Sequence, residues 1–250
     1  MGFYALGIAG ILLALFSGRF LGVTLNATVA TGDAHKFKER DATRYLIQTP
    51  TYLVLLLVTI CAGVAVWIFF NWLSLHLVEK YNVKMAEAGF ANVAMLQISS
   101  MLGIVAGAWL SDWAVRKDYR NRLVVFAIGY FAAAPFLLCF LFDPSILVVS
   151  ICCSLFSFLR ALGSVNEMPV LCEVVPSTYR STAVGILIAC ACTSGGIGIF
   201  VGGLLKKGIG LEVVFAALGG FFVLAGAGFL LAHRRYLARD VSRANAWTVS

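Results

Sequence analysis

Charge is what this 250-residue chain has least of. Only 12% of it is Asp, Glu, Lys or Arg, and 12 residues in all are acidic, against 61% hydrophobic. A soluble domain carries about twice that charge, so a water-soluble globular protein is excluded. The three histidines are too scattered to ligate haem in pairs across a span, and none joins an Asp in a metalloenzyme constellation. Seven cysteines (Cys61, Cys139, Cys152, Cys153, Cys172, Cys190 and Cys192) fall mostly inside apolar runs without metal-ligand spacing, which makes them small hydrophobes. There is no Gly-rich loop ending in Lys-Ser/Thr to cradle phosphates, which argues against an ATP-driven pump. Nor is there a Gly-x-Ser-x-Gly elbow. No enzyme chemistry, cofactor or metal is expected.

What fills the chain instead is apolar sequence in lengths of about twenty residues, each enough to cross roughly 30 Å of hydrocarbon. Seven such runs occur, at 3–21, 52–75, 91–110, 123–142, 146–163, 182–205 and 211–232. A backbone inside lipid must satisfy its own hydrogen bonds, so these runs are helices. The expected fold class is an all-α polytopic membrane protein of about seven transmembrane helices.

The net charge of +7 is distributed by topology and is no footprint for nucleic acid. With alternating spans, one side collects Arg19, Lys36, Lys38, Arg40, Arg44, Arg116, Lys117, Arg120, Arg122, Arg180, Arg234, Arg235, Arg239 and Arg243. The other collects Lys80, Lys84, Lys206 and Lys207. Such asymmetry puts the richer side in the cytoplasm. The protein is expected in a cytoplasmic (inner or plasma) membrane, with its C-terminus inside and the lipid bilayer as its first partner. Among these charges, Arg120 and Arg122 read as ordinary topology-setting residues.

That orientation makes the first run enter from outside with no charged n-region and no cleavage site. The simplest account is that Met1 is not the natural start and that an odd number of earlier spans is missing. Residues 23–50 are mixed in charge and hydrophilic, suited to a cytoplasmic linker with room for a short surface helix. The expected organisation is a single helix over 1–22, the linker over 23–50, a six-helix bundle over 51–232 and a basic tail over 233–250.

Two charged stretches stand at the basic side. The first is Ala108-Trp-Leu-Ser-Asp-Trp-Ala-Val-Arg-Lys117, and the second is Glu173-Val-Val-Pro-Ser-Thr-Tyr-Arg180. Together with one span, a charged linker and six further spans, they resemble the second half of a major facilitator superfamily transporter. The family pattern Gly-x-Leu-Ala/Ser-Asp-basic-x-Gly-basic-basic is matched by Leu110, Ser111, Asp112, Arg116 and Lys117. Ala108 and Val115 stand where glycines are usual, and Trp113 stands in a basic slot. Val115 does not readily take the positive φ that glycine permits, which sets the turn there apart. The resemblance implies a two-bundle fold and alternating access, with the first span ending a missing first bundle. It also implies a cytoplasmic gate made by Asp112, Arg116, Glu173 and Arg180.

Solute contacts are sought among polar groups at membrane depth, where they are costly and functional. Arg160 lies about 14 residues into the fifth of the seven runs, roughly 21 Å along it; snorkelling to the inner interface is the competing reading. Trp67, Phe70 and Asn71 share a helical face, with an interfacial aromatic belt as the alternative, to which Trp72 is assigned. Gln97, Ser99 and Ser100 add polar groups equally suited to helix-to-helix bonding. Glu167 either pairs with Arg160 or meets solvent. No Asp or Glu lies mid-span, so a carboxylate coupling a proton or sodium ion is expected in the missing bundle. In the sixth of the seven runs, Gly198-x3-Gly202 suits close helix packing, with bending during the access cycle as a compatible reading.

The function implied is secondary active transport, symport included, of a small polar solute: an organic anion, a sugar acid or a sugar. The alternatives are a seven-span ligand-binding receptor without transport and a half-size unit that pairs with another copy.

Overall fold

A computed structural model describes residues 7, 8, 10–13, 15–17 and 39–249, and side chains throughout them except at 39, 40, 88, 91 and 247–249. The chain divides into two units, Met1–Asp41 and Ala42–Ser250. In the first, the described residues between 7 and 17 are helical, and the Ser17 hydroxyl donates to the Leu13 carbonyl at 2.7 Å. The remainder of the 3–21 run and most of the expected linker lie outside the described residues.

Nine α-helices are described from residue 39 onward, and no strand among them. Six stretches are long and apolar enough to cross a membrane. They are α2 (Pro50–Tyr81), α3 (Met85–Val115), α4 (Asn121–Leu137, continued by a 3-10 turn, Leu138–Phe142), α5 with α6 (Ile146–Ser164 and Glu167–Val174), α7 (Arg180–Ile209) and α8 (Leu211–Arg235). Short helices flank them at one end: α1 (Glu39–Ile47) before, and α9 (Leu237–Val249) after. The hydrophilic stretch before α2 thus ends in a helix, and most of the basic tail forms another.

Local chemistry sets the boundaries. Pro50 opens α2, where a missing N–H costs nothing. The next N–H, that of Thr51, is taken by the Asp240 carboxylate of α9 at 2.8 Å. At 32 residues α2 is about 48 Å long. It ends at Asn82, whose left-handed backbone (φ 52°) returns its N–H to the Val78 carbonyl. Pro135 interrupts the hydrogen-bond ladder of α4, and the chain tightens into the 3-10 turn three residues later. Asp143, with φ 50°, then reverses the chain into α5. Gly210, with φ 81°, is the one-residue hinge between α7 and α8.

The spans run up and down, so Arg116, Arg122, Arg180 and Arg234 gather at one end, the basic end, and Lys80, Lys84 and Lys206 at the far end. Helix α5 packs between α3 and α4, α8 packs on α4 and α2, and α7 leans on α2. Phenylalanines fill the enclosed space. Phe69, Phe140, Phe156, Phe215 and Phe222 meet edge to face with ring centroids 4.9–6.1 Å apart, and Phe126 stacks on Phe229 at 3.9 Å.

Glycines form the seams. A Cβ on Gly103 or Gly107 of α3 would stand 2.2 or 2.3 Å from the carbonyl oxygens of Phe158 and Leu162, so α3 and α5 touch backbone to backbone. Gly129 of α4 meets Gly163 of α5 in the same manner. On α7, Gly198 and Gly202 receive Val64 and Ile68 of α2, which is the close packing expected of that pair.

Candidate functional site

The polar residues singled out for solute contact share one open face, formed by α2, α3 and α5. Along α2 the exposed side chains are Leu53, Leu57, Trp67 and Asn71, a single helical stripe. Phe70 sits beside it. The Arg160 guanidinium lies over the Phe70 ring, with Cζ 5.7 Å from its centroid. Its Nη2 reaches the Ser100 hydroxyl at a long 3.5 Å. Its Nε is buried without a hydrogen-bond partner, and among the described residues no carboxylate comes within 4 Å of the group. The glycine seams explain how Arg160 comes to this place: Gly103 and Gly107 of α3 lie against Phe158 and Leu162 of α5, two residues before and two after Arg160, so the two backbones touch at its level.

Glu167 pairs neither with Arg160 nor with solvent alone. Its Oε1 accepts the Thr59 hydroxyl of α2 at 2.7 Å. It stands at the start of α6, inside the stretch Ile146–Val174 that crosses as one apolar unit. The apolar run ended at 163 by hydropathy, whereas the helical stretch continues past Glu167.

Asn71 spends its amide donor within its own helix, on the Trp67 carbonyl at 2.8 Å. Trp67 is 43% exposed, with its ring laid on Gly195 of α7. Trp72, assigned to the belt, is half-buried against α7. It rests on Gly203, and its indole N–H donates to the Ile199 carbonyl at 3.2 Å. Gln97 is exposed and lines a cavity of about 70 Å³ with Phe70, Asn92, Val93 and Leu96. Asn92, which the sequence did not bring forward, is 3% exposed; its Nδ2 donates to Ser74 at 2.7 Å, and its Oδ1 has no partner.

The four expected gate residues are all at the basic end, but none forms an ion pair with another among the described residues. Glu173 instead pairs with Arg122 at 3.1 Å, joining α6 to the start of α4. Arg122 is therefore more than a topology-setting charge. Arg180 closes its own turn, donating to the carbonyls of Cys172 at 2.7 Å and Val175 at 3.1 Å. Asp112 and Arg116 are exposed. Beside Asp112, the Ser111 hydroxyl bonds Asn166 in the break between α5 and α6. The turn after α3 needs no left-handed residue, which reconciles Val115 with its position: Arg116 is right-handed and the Ala114 carbonyl accepts the N–H of Lys117 and the Asn121 amide.

At the far end, a cavity of about 380 Å³ is lined by His76, Glu79, Lys80, Lys206 and Glu212. Its charges answer one another. Lys80 bridges Asp143 at 2.6 Å and Glu212 at 2.5 Å, and Lys206 meets Glu79 at 2.5 Å. The hydrogen bond from Lys80, and then its charge, hold the Asp143 carboxyl below the ordinary aspartate value.

With this geometry in view, similarity to known proteins is narrow. No protein-family model and no curated protein sequence matches the chain. Among solved structures, it is similar to a bacterial homologue of the human lysosomal transporter Spinster, captured inward-facing and unoccupied. The TM-score is 0.62 and the identity 17%, over 84% of this chain and 53% of that one. The likeness is one of fold, and it agrees with an all-α integral membrane protein whose six long helices are apolar enough to cross a membrane. This chain spans about half the length of that neighbour.

Proposed function

We propose that the chain supplies the second of two six-helix bundles in a secondary transporter, which moves a small anionic solute across the cytoplasmic membrane by alternating access. One observation carries the anionic solute: Arg160 stands at membrane depth with a buried, unpartnered Nε and no described carboxylate within 4 Å, its charge neighbour Glu167 being bonded to Thr59 instead. A guanidinium so placed is expensive, and it is stabilised when a planar acid group docks on its fork. Organic acids and sugar acids have that group; a neutral sugar does not. The face that carries Arg160 is lined by Trp67, Asn71 and Gln97, and it turns toward the space a partner bundle or second copy would fill. The basic end lies in the cytoplasm by its charge excess. There Asp112 and Arg116 remain free to meet the other bundle, while Arg122–Glu173 and Arg180 hold this bundle's own rim. A coupling proton or sodium ion fits the same scheme.

Counterflow of labelled short-chain and sugar acids into proteoliposomes holding the protein tests the reading. Wild type is expected to exchange them, Arg160→Gln to lose at least a hundredfold, and Arg160→Lys to recover part of the loss. Equal exchange by wild type and Arg160→Gln would remove the anionic solute from the proposal.

A further inference from the structure

Resting on the reading of Arg160 as the acid's contact, we infer that the solute also carries a hydroxyl group on a slim arm remote from its acid, and that Asn92 selects for it. The cavity between α2 and α3 is the seat of that hydroxyl. Its wall includes Phe70, the same ring on which Arg160 lies, so the two subsites are separated by one aromatic side chain.

The cavity asks for a donor. Asn92 is almost completely enclosed, and its amide nitrogen is committed to Ser74, which leaves Oδ1 as a buried acceptor with nothing to accept. A buried polar atom without a partner is destabilising, and native structures leave few of them. Gln97, exposed on the same wall, offers a second amide that can accept or donate.

The cavity also says how large the group is. About 70 Å³ is little more than twice the volume that one water occupies in the liquid, so a hydroxymethyl enters and a ring does not. Charge then separates a hydroxyl from an ammonium, the other common donor. Phe70, Asn92, Val93, Leu96 and Gln97 include no acidic side chain, so an ammonium would be desolvated there without a counter-ion. A hydroxyl donates to Oδ1 and can accept from Gln97 at no such cost.

Calorimetric titration of the purified protein in nanodiscs with hexanoate, 6-hydroxyhexanoate and 6-aminohexanoate tests this. In wild type 6-hydroxyhexanoate is expected to bind about tenfold tighter than hexanoate, the worth of one satisfied buried acceptor, and 6-aminohexanoate no tighter than hexanoate. Asn92→Leu should bring the ratio of the first two affinities to one. Asn92→Asp keeps the side chain's size and should turn the preference toward 6-aminohexanoate, which decides the matter if the leucine variant does not fold. Equal binding of hexanoate and 6-hydroxyhexanoate, both lost in Arg160→Gln, would overturn the hydroxyl subsite while the anion reading stands. Binding of none of the three acids would overturn both.

Discussion

The enclosed side of the bundle and its open face are made of the same helices but obey different rules. Between α4, α5, α8 and the inner side of α2, the space is filled by phenyl rings at contact distance, and the Ser157 hydroxyl and His76 Nε2 are the buried polar atoms left unpaired beside them among the described residues. Across the outer side of α2, α3 and α5, a guanidinium Nε and an amide oxygen are buried and unanswered. Lipid cannot answer them, because it has no hydrogen bonds to give. The contrast is one of what fills the space: phenyl rings on the enclosed side, a guanidinium and an amide on the open one.

That contrast can be broken from either side. The largest effect is expected from the enclosed side. Phe222 is fully buried between Phe156 and Tyr130, and Phe222→Ala should cost about 3–5 kcal/mol of stability. Reversible unfolding in mixed micelles measures it, and a loss under 1 kcal/mol would mean the rings are not the core. Smaller, and acting on both regions at once, is the α3–α5 seam. Gly107→Ala forces a methyl against the Leu162 carbonyl and should cost about 1–3 kcal/mol. It should also part Arg160 from Ser100 and weaken acid binding. Gly220→Ala, with nothing within 4 Å of the added methyl, is the matched control. If both variants bind acids alike, the seam does not set the position of Arg160.

The smallest effect concerns neither region but the clasp at the far end. Because Lys80 lowers the Asp143 carboxyl in the folded protein, that group's contribution is present above the unfolded value, about pH 4. It is lost as pH falls through the lowered value. Unfolding followed between about pH 5 and pH 2 should show a slope that Asp143→Asn lacks. Identical slopes would mean the clasp is idle.

Much of this was legible in the chain and some was not, for physical reasons. Spans announce themselves, since crossing hydrocarbon needs an unbroken apolar length, and each of the six long helices was found with its ends a few residues short. Helix α6 escaped because its eight residues include a proline and two glutamates, a pattern that hydropathy reads as a loop; it is helical because α9, α2, α7 and α4 pack on it and Val170, Leu171 and Val174 are buried. Likewise α9 is amphipathic, and only its docked side reveals it as structure. Arg160 stood out as the one basic residue inside a run of the six-helix bundle. The pairing of Glu173 with Arg122 did not, because it depends on how α4 and α6 are turned toward each other across 51 residues of sequence. Gly198 and Gly202 declared a seam by their spacing, and Gly103 with Gly107 repeat that spacing on α3, where the tighter contact lies. Asn92 carried no signal, since an asparagine near a helix start is ordinary until its neighbours leave it an empty space.

The bond from Asp240 to the Thr51 N–H has a consequence for how the protein is made. The two residues are 189 positions apart, so α2 leaves the ribosome and enters the membrane long before the carboxylate that closes its first turn has been translated. Until then its leading N–H groups have only water and lipid headgroups to hold. The first bundle helix to be inserted is the last to be finished, and a chain halted anywhere before α9 carries that raw end as a mark of incompleteness that a quality-control protease could recognise.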